Sequence, residues 1–270
     1  MSSMKMMVLV VVSGLLVLAG SAQAALLETF DSYAGGSNLH GQGARPWGVL
    51  SNEGGITLNP RILAGGGFGG TTGAETASPG LKAGATVDVV SDFAASTSGG
   101  GSYTASFDFF QRTPQTTTNL GQAQLFVGDT ASMTTDTGGN HNQYWVQISG
   151  TGAIGYHNRV GGSVRTAAGG SSSYDRDTHG WIRLEMEVNA ANTSATASVI
   201  DIDDNTGAEI STIDSHTFSG STFGAVERAG FTHNNQGWGA VDNFASSPEP
   251  TTALMLVLGG GLLLRRRRAA

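Results

Sequence analysis

Apolar and polar residues alternate with a period of two along much of this chain. Residues 102–110 set Tyr103, Ala105, Phe107 and Phe109 against Thr104, Ser106 and Asp108. Residues 122–127 set Ala123, Leu125 and Val127 against Gln122 and Gln124, and 143–148 set Tyr144, Val146 and Ile148 against Gln143, Trp145 and Gln147. Residues 181–188 do the same with Ile182, Leu184, Met186 and Val188 against Arg183, Glu185 and Glu187. Successive side chains of a strand point to opposite faces, so each run offers one face to a core. Residues 194–202 and 208–213 flank Asp203-Asp204-Asn205-Thr206-Gly207, which reads as a hairpin turn. Outside the two ends no stretch carries apolar residues at helical spacing. The expectation is an all-β fold, an antiparallel sandwich.

Composition narrows this further. Glycine supplies 41 of the 270 residues, about twice the usual share, while Pro supplies only 6. Collagen would need a strict Gly period and abundant Pro. The absence of Cys excludes a disulfide scaffold, a zinc ribbon, an iron–sulfur protein and thiol chemistry. No repeat at a fixed period points to a propeller or solenoid. The stretches 64–73 and 96–101 read as mobile, exposed low-complexity loops.

The two ends stand apart from the sandwich. Lys5 precedes an apolar run over residues 8–19, and Ala22-Gln23-Ala24 supplies the small-x-small site that signal peptidase needs. Residues 1–24 are therefore expected to be a signal peptide cleaved after Ala24, leaving a domain over 25–247. The tail, 248–270, runs Pro248-Glu249-Pro250, an apolar segment over 253–264, then Arg265, Arg266, Arg267 and Arg268. That Arg cluster is expected to stay cytoplasmic and leave everything before it on the far side of the membrane. As a helix the apolar segment is only about 18 Å long against a hydrocarbon core near 30 Å, which suits a transient anchor.

This three-part tail resembles the PEP-CTERM sorting signal of Gram-negative bacteria that make exopolysaccharide. The resemblance implies recognition and removal by an exosortase, a membrane-embedded cysteine transpeptidase, near Pro248, Glu249 and Pro250. The expected destination is the cell surface or extracellular matrix, after transient anchoring in the inner membrane. Lys5 and the four tail Arg account for 5 of 14 basic residues, leaving 9 against 20 acidic ones once Glu249 is also removed. A mature domain near −11 has no basic patch for nucleic acid.

Two edges of the domain resemble the concanavalin A-like jelly rolls, the lectin, glucanase and laminin-G group. They are Glu28-Thr29-Phe30-Asp31-Ser32-Tyr33, with residues 38–43 and Trp47 after it, and Gly239-Ala240-Val241-Asp242-Asn243-Phe244. The resemblance implies a jelly-roll sandwich with its first and last strands side by side, between an N-terminal signal helix and a short C-terminal hydrophobic helix.

Three groups of residues carry candidate chemistry. Glu185 and Glu187 share one strand face with α-carbons about 6.5–7 Å apart, within the range of paired glycosidase carboxylates. The jelly-roll glucanases place a Glu-x-Asp-x-Glu-like pattern there, whereas this strand reads Glu185-Met186-Glu187-Val188-Asn189. Asp201, Asp203 and Asn205 offer oxygen ligands for Ca²⁺, although Thr206 and Thr212 stand where an EF-hand loop needs Gly and Glu. Trp145 and Trp181 fall on polar strand faces beside Gln143, Gln147, Arg183 and Glu185, and Trp238 follows a polar loop. Exposed indoles beside amides and carboxylates are what a sugar-binding face uses. Gly65-x-Gly67-x-x-Gly70 lacks a strand before it and a helix after it, so it is no dinucleotide fingerprint. The chain has no Gly-x-Ser-x-Gly elbow and no His pair at metal-ligand spacing.

The sequence thus leads to an exported, non-catalytic structural or adhesive module without a cofactor. Its expected partners are signal peptidase, exosortase, the membrane before processing, and extracellular polysaccharide held through Trp145, Trp181 or Trp238. The alternative is a secreted glycoside hydrolase or lyase using Glu185 and Glu187.

Overall fold

The alternating runs form the strands of two facing antiparallel sheets. The computed structural model describes residues 26–43, 45–49, 60–76, 82–98, 100–112, 122–129, 143–160, 163–219, 226–234 and 239–248. The expected terminal helices, with Ala24, Glu249, Pro250 and Arg265 to Arg268, lie outside the described residues, and so does Trp238. Among the described residues no helix is long and apolar enough to cross a membrane.

The first sheet runs β13 (Glu209–Ser219), β12 (Ser194–Ile202), β11 (Ile182–Val188), β6 (Tyr103–Gln111), β15 (Gly239–Pro248), β4 (Gly73–Thr76) and β3 (Pro60–Leu63), with β1 (Leu26–Glu28) also on β15. The second runs β10 (Ser163–Ser173), β9 (Ala153–Val160), β8 (Gln143–Ile148), β7 (Gln122–Gly128), β14 (Arg228–Asn234), β5 (Lys82–Asp88) and β2 (Gly48–Val49). The fold is an antiparallel jelly-roll sandwich. Its first and last strands lie side by side, with Leu26 opposite Ser246 and Glu28 opposite Phe244.

The core lies between the sheets. On β11, Ile182, Leu184, Met186 and Val188 are buried while Arg183, Glu185 and Glu187 face out. Phe107 and Phe109 from β6, Leu125 and Val127 from β7, Val146 from β8 and Phe231 from β14 complete the interior. Full burial of such a side chain stabilises by about 1.5–3 kcal/mol.

Three local features differ from the sequence reading. The segment that resembles a first strand leaves the sheet at Glu28. Phe30 takes a left-handed φ of 58°, and its N–H donates to Glu28 Oε1 at 3.1 Å. That turn puts the Phe30 ring 6.0 Å from Trp47, whose own ring meets Phe244 edge-on at 5.0 Å, so Trp47 closes the core.

Two helices also form, α1 (Val90–Ser98) and α2 (Arg176–His179). Neither carries apolar residues at helical spacing, although Asp175 caps the start of α2 and Gly180, at φ 64°, its end. Ser96, Thr97 and Ser98 in α1 bond back to backbone carbonyls of their own helix. Tertiary contacts stabilise α1 instead. Its buried Asp92 receives both guanidinium nitrogens of Arg45, at 2.5 and 2.7 Å, and the Ser246 hydroxyl at 2.7 Å. The Ser246 oxygen lies 3.1 Å from the buried Tyr103 hydroxyl. Ser96, expected in a mobile loop, is thus buried in a helix.

The Gly-rich stretch 64–73 is exposed at Ala64, Gly65 and Gly69 to Thr71, as expected, but packed at its centre. Gly66 and Gly67 are buried, and a 3-10 turn follows over Phe68–Gly70. A Cβ on Gly67 would stand 2.5 Å from Asp242 Oδ2 and 2.6 Å from the Thr72 carbonyl. Glycine is needed there because backbone and carboxylate approach so closely.

Candidate functional site

Three strands of the second sheet bring polar and aromatic side chains together on its outer face. Cross-strand register sets Phe126, Trp145 and His157 in one row and Gln124, Gln147 and Gly155 in the next. Thr232 on β14 extends the second row beside Gln124. Its hydroxyl donates to Gln124 Oε1 at 2.9 Å, and Gln124 Nε2 donates to Gln147 Oε1 at 3.1 Å.

In the first row the Trp145 indole and His157 imidazole stack, with centroids 5.0 Å apart and planes at 11°. Phe126 packs on Trp145, away from the main core. Gly155 leaves space for both rows, because a Cβ there would come 2.9 Å from His157 Nε2 and 3.2 Å from Gln147 Cγ. His157 Nε2 is buried and has no hydrogen-bond partner among the described residues. Burial pulls the imidazole below its usual 6.5, so it is neutral at pH 7. A neutral ring nitrogen accepts or donates according to its tautomer. Amides, a hydroxyl, a neutral imidazole and an indole edge together match a polyol, which has apolar C–H faces and alternating donors and acceptors.

The two described indoles are not the open platforms that their polar strand faces imply. Trp145 retains 9% of its surface exposed and Trp181 8%. Trp181 lies on the outer face of the first sheet, stacked on Phe110 at 5.6 Å and 27°. Phe68, from the Gly-rich stretch, covers it edge-on at 5.6 Å. Ile200, Ile202 and Ala240 complete that small cluster.

The cover over Trp181 is fixed by Asp242, a residue with only 1% exposure. Its Oδ2 accepts the Phe68 N–H at 2.8 Å and lies 3.0 Å from the Thr71 hydroxyl, while Oδ1 accepts the Asn243 N–H at 2.7 Å. Burial outweighs these donors and pushes the carboxyl up to about 6. Asp108, its cross-strand neighbour, is also buried but pairs with Arg183 Nε at 2.8 Å and accepts from Asn243 Nδ2 at 2.9 Å. Nothing in the sequence marks Asp242 or Asp108, since both stand at strand positions that alternation assigns to solvent.

Glu185 and Glu187 do share the outer face of β11, half-buried. Glu185 stands between Ser106 and Ser198, and Glu187 between Thr104 and Thr196. Asn189, at the position of the missing third carboxylate, caps the following turn by accepting the Thr193 and Ser194 N–H groups at 2.8 and 3.1 Å.

The proposed calcium ligands have other surroundings. Asp203 Oδ1 accepts the Asn205 N–H, the Thr206 N–H and the Thr206 hydroxyl at 2.8–3.0 Å, and these donors hold its carboxylate below the usual range. Asp201 pairs with the core residue Ile182, on the inward side of β12. Among the described residues no three His, Asp or Glu side chains are grouped to hold a metal ion.

No family model matches the chain, and no curated protein matches it. Its backbone is similar to several solved structures. Basic winged bean lectin, crystallised with Tn-antigen, has a TM-score of 0.47 and 11% identity over 83% of this chain and 98% of the lectin. A Bacillus subtilis protein of unknown function with a galectin-like fold has a TM-score of 0.45 and 13% identity, covering 80% of this chain and 98% of its own. Lectin I from Ulex europaeus, solved with a methyl glycoside of α-L-fucose, has a TM-score of 0.42 and 15% identity over 84% of this chain and the whole lectin.

Proposed function

We propose that this chain is an exported, exosortase-processed, non-catalytic module that holds extracellular polysaccharide on the outer face of its second sheet. One observation carries the binding reading. The hydrogen-bonded row Thr232, Gln124 and Gln147 runs beside the stacked Trp145–His157 pair on one outer face of the sandwich. Trp181 has no part in this site, because Phe68 covers it on the other sheet. The export reading rests on the small-x-small site at Ala24 and on the tail with Pro248, Glu249, Pro250 and the four Arg.

The test is binding of exopolysaccharide, isolated from an exopolysaccharide-producing Gram-negative bacterium, to the purified protein. Wild type should bind, and Gln147→Ala should weaken binding about tenfold through loss of a hydrogen-bonding amide at the site. Trp145→Ala should abolish binding while the far-ultraviolet spectrum stays that of a β protein. A glycan array that stays blank across all classes would overturn the binding reading. Release of reducing ends, abolished by Glu185→Gln, would establish the hydrolase instead. Mass spectrometry of the protein from a host with exosortase should find residues 251–270 gone, and their retention would overturn the sorting reading.

A further inference from the structure

Both ends of the sandwich leave it at one place. Leu26 stands opposite Ser246, and Ser247 and Pro248 stand opposite Thr104 and Tyr103, the first residues of β6. Val188 is level with Tyr103, so the turn over 189–193 belongs to the same pole. So does α1, through Asp92 on Ser246. At the opposite pole lie Gln111, Gly239, α2 and the β12–β13 turn around Asp203. The eight residue steps from Tyr103 to Gln111 separate the poles by about 26 Å.

We infer that the pole where β1 begins and β15 ends rests against the lipid bilayer while the tail is attached, with the opposite pole turned outward. This rests on the proposal that the apolar run 253–264 is inserted in a membrane. From Pro248 to Ala253 the chain can reach about 17 Å fully extended, which is shorter than the sandwich. The tether therefore cannot let the domain invert.

Two exposed apolar side chains agree with that orientation. Leu27 and Val90, at 64% and 45% exposure, are two of the three large hydrophobic side chains exposed among the described residues, and both sit at the near pole. The near-pole turn Asn189-Ala190-Ala191-Asn192-Thr193 carries no charge, while Asp88, Asp129 and Glu227 stand with Arg228 at the neighbouring strand ends. The far pole presents Asp175, Asp177, Asp203 and Asp204 with Arg112 and Arg176, so both poles carry a similar acidic excess and charge does not set the orientation. The Gln124–Gln147 face then stands upright from the membrane.

The chain has no Cys, so single labels are unambiguous. The full chain is reconstituted into phosphatidylglycerol-containing vesicles that carry a headgroup nitroxide lipid. A fluorophore is placed at Ala191→Cys on the near pole or at Asn205→Cys on the far pole; both positions are exposed. The Ala191 label should be quenched at least twofold more than the Asn205 label. Equal or reversed quenching in protein that floats with the vesicles overturns the orientation alone. Failure to float overturns the membrane reading of the tail, and the orientation with it.

Discussion

Replacing Asp242 by Asn removes a buried charge while leaving an oxygen for the Phe68 N–H to meet. In the folded protein burial raises this carboxyl from the ordinary 3.8 to about 6. A group whose folded value is raised stabilises fully below its unfolded value, near 3.8, and that stabilisation is lost as pH rises through about 6. At 1.36 kcal/mol per unit, the shift corresponds to about 3 kcal/mol. The unfolding free energy of wild type minus that of D242N should therefore fall by about 3 kcal/mol from acid to neutral pH, most steeply between pH 4 and 6. Distant carboxylates contribute equally to both proteins and cancel in the difference.

Urea denaturation followed by Trp fluorescence at half-unit pH steps measures it. Near pH 7 D242N should equal or exceed wild type, and near pH 4 it should be the weaker. A difference that stays flat or rises with pH would refute the reasoning. It would mean that the donors from Phe68, Thr71 and Asn243 outweigh desolvation.

Two further outcomes follow from buried and turn-capping carboxylates. Asp92→Ala leaves Arg45 and Ser246 without their shared acceptor and should cost about 3 kcal/mol, read as a lower urea midpoint, with Asp92→Asn intermediate. Ca²⁺ should leave the melting temperature of wild type unchanged, because the turn already occupies Asp203 Oδ1. Asp203→Ala should lower Tm equally with and without the ion, and a Ca²⁺-dependent rise in wild type would refute this.

Period-two alternation reports which residues share a strand face, and it does so here for β6, β7, β8, β11 and β12. It does not report what lies over that face. Trp145 and Trp181 are both on the polar side of their strands, as alternation requires, yet neither is open. Trp181 is covered by Phe68, which arrives from a Gly-rich stretch that composition alone marks as loose. The cover is held by a backbone approach to Asp242 that only Gly67 permits. Trp145 is covered by His157 and Phe126 because β9 and β7 flank β8 in a register fixed by pairing across the whole sheet. That register also decides the candidate site. Gln124, Gln147, Thr232 and His157 are ordinary polar residues on four strands until β14, β7, β8 and β9 are laid side by side. The helix α1 was illegible for a related reason. A nine-residue run rich in Ser and Thr has little helical preference of its own, and the contact that stabilises it joins Asp92 to Arg45 and Ser246, at distant points of the chain. Local pattern therefore sufficed for the strands, whereas every feature that gives this sandwich an individual chemistry depends on pairs far apart in sequence.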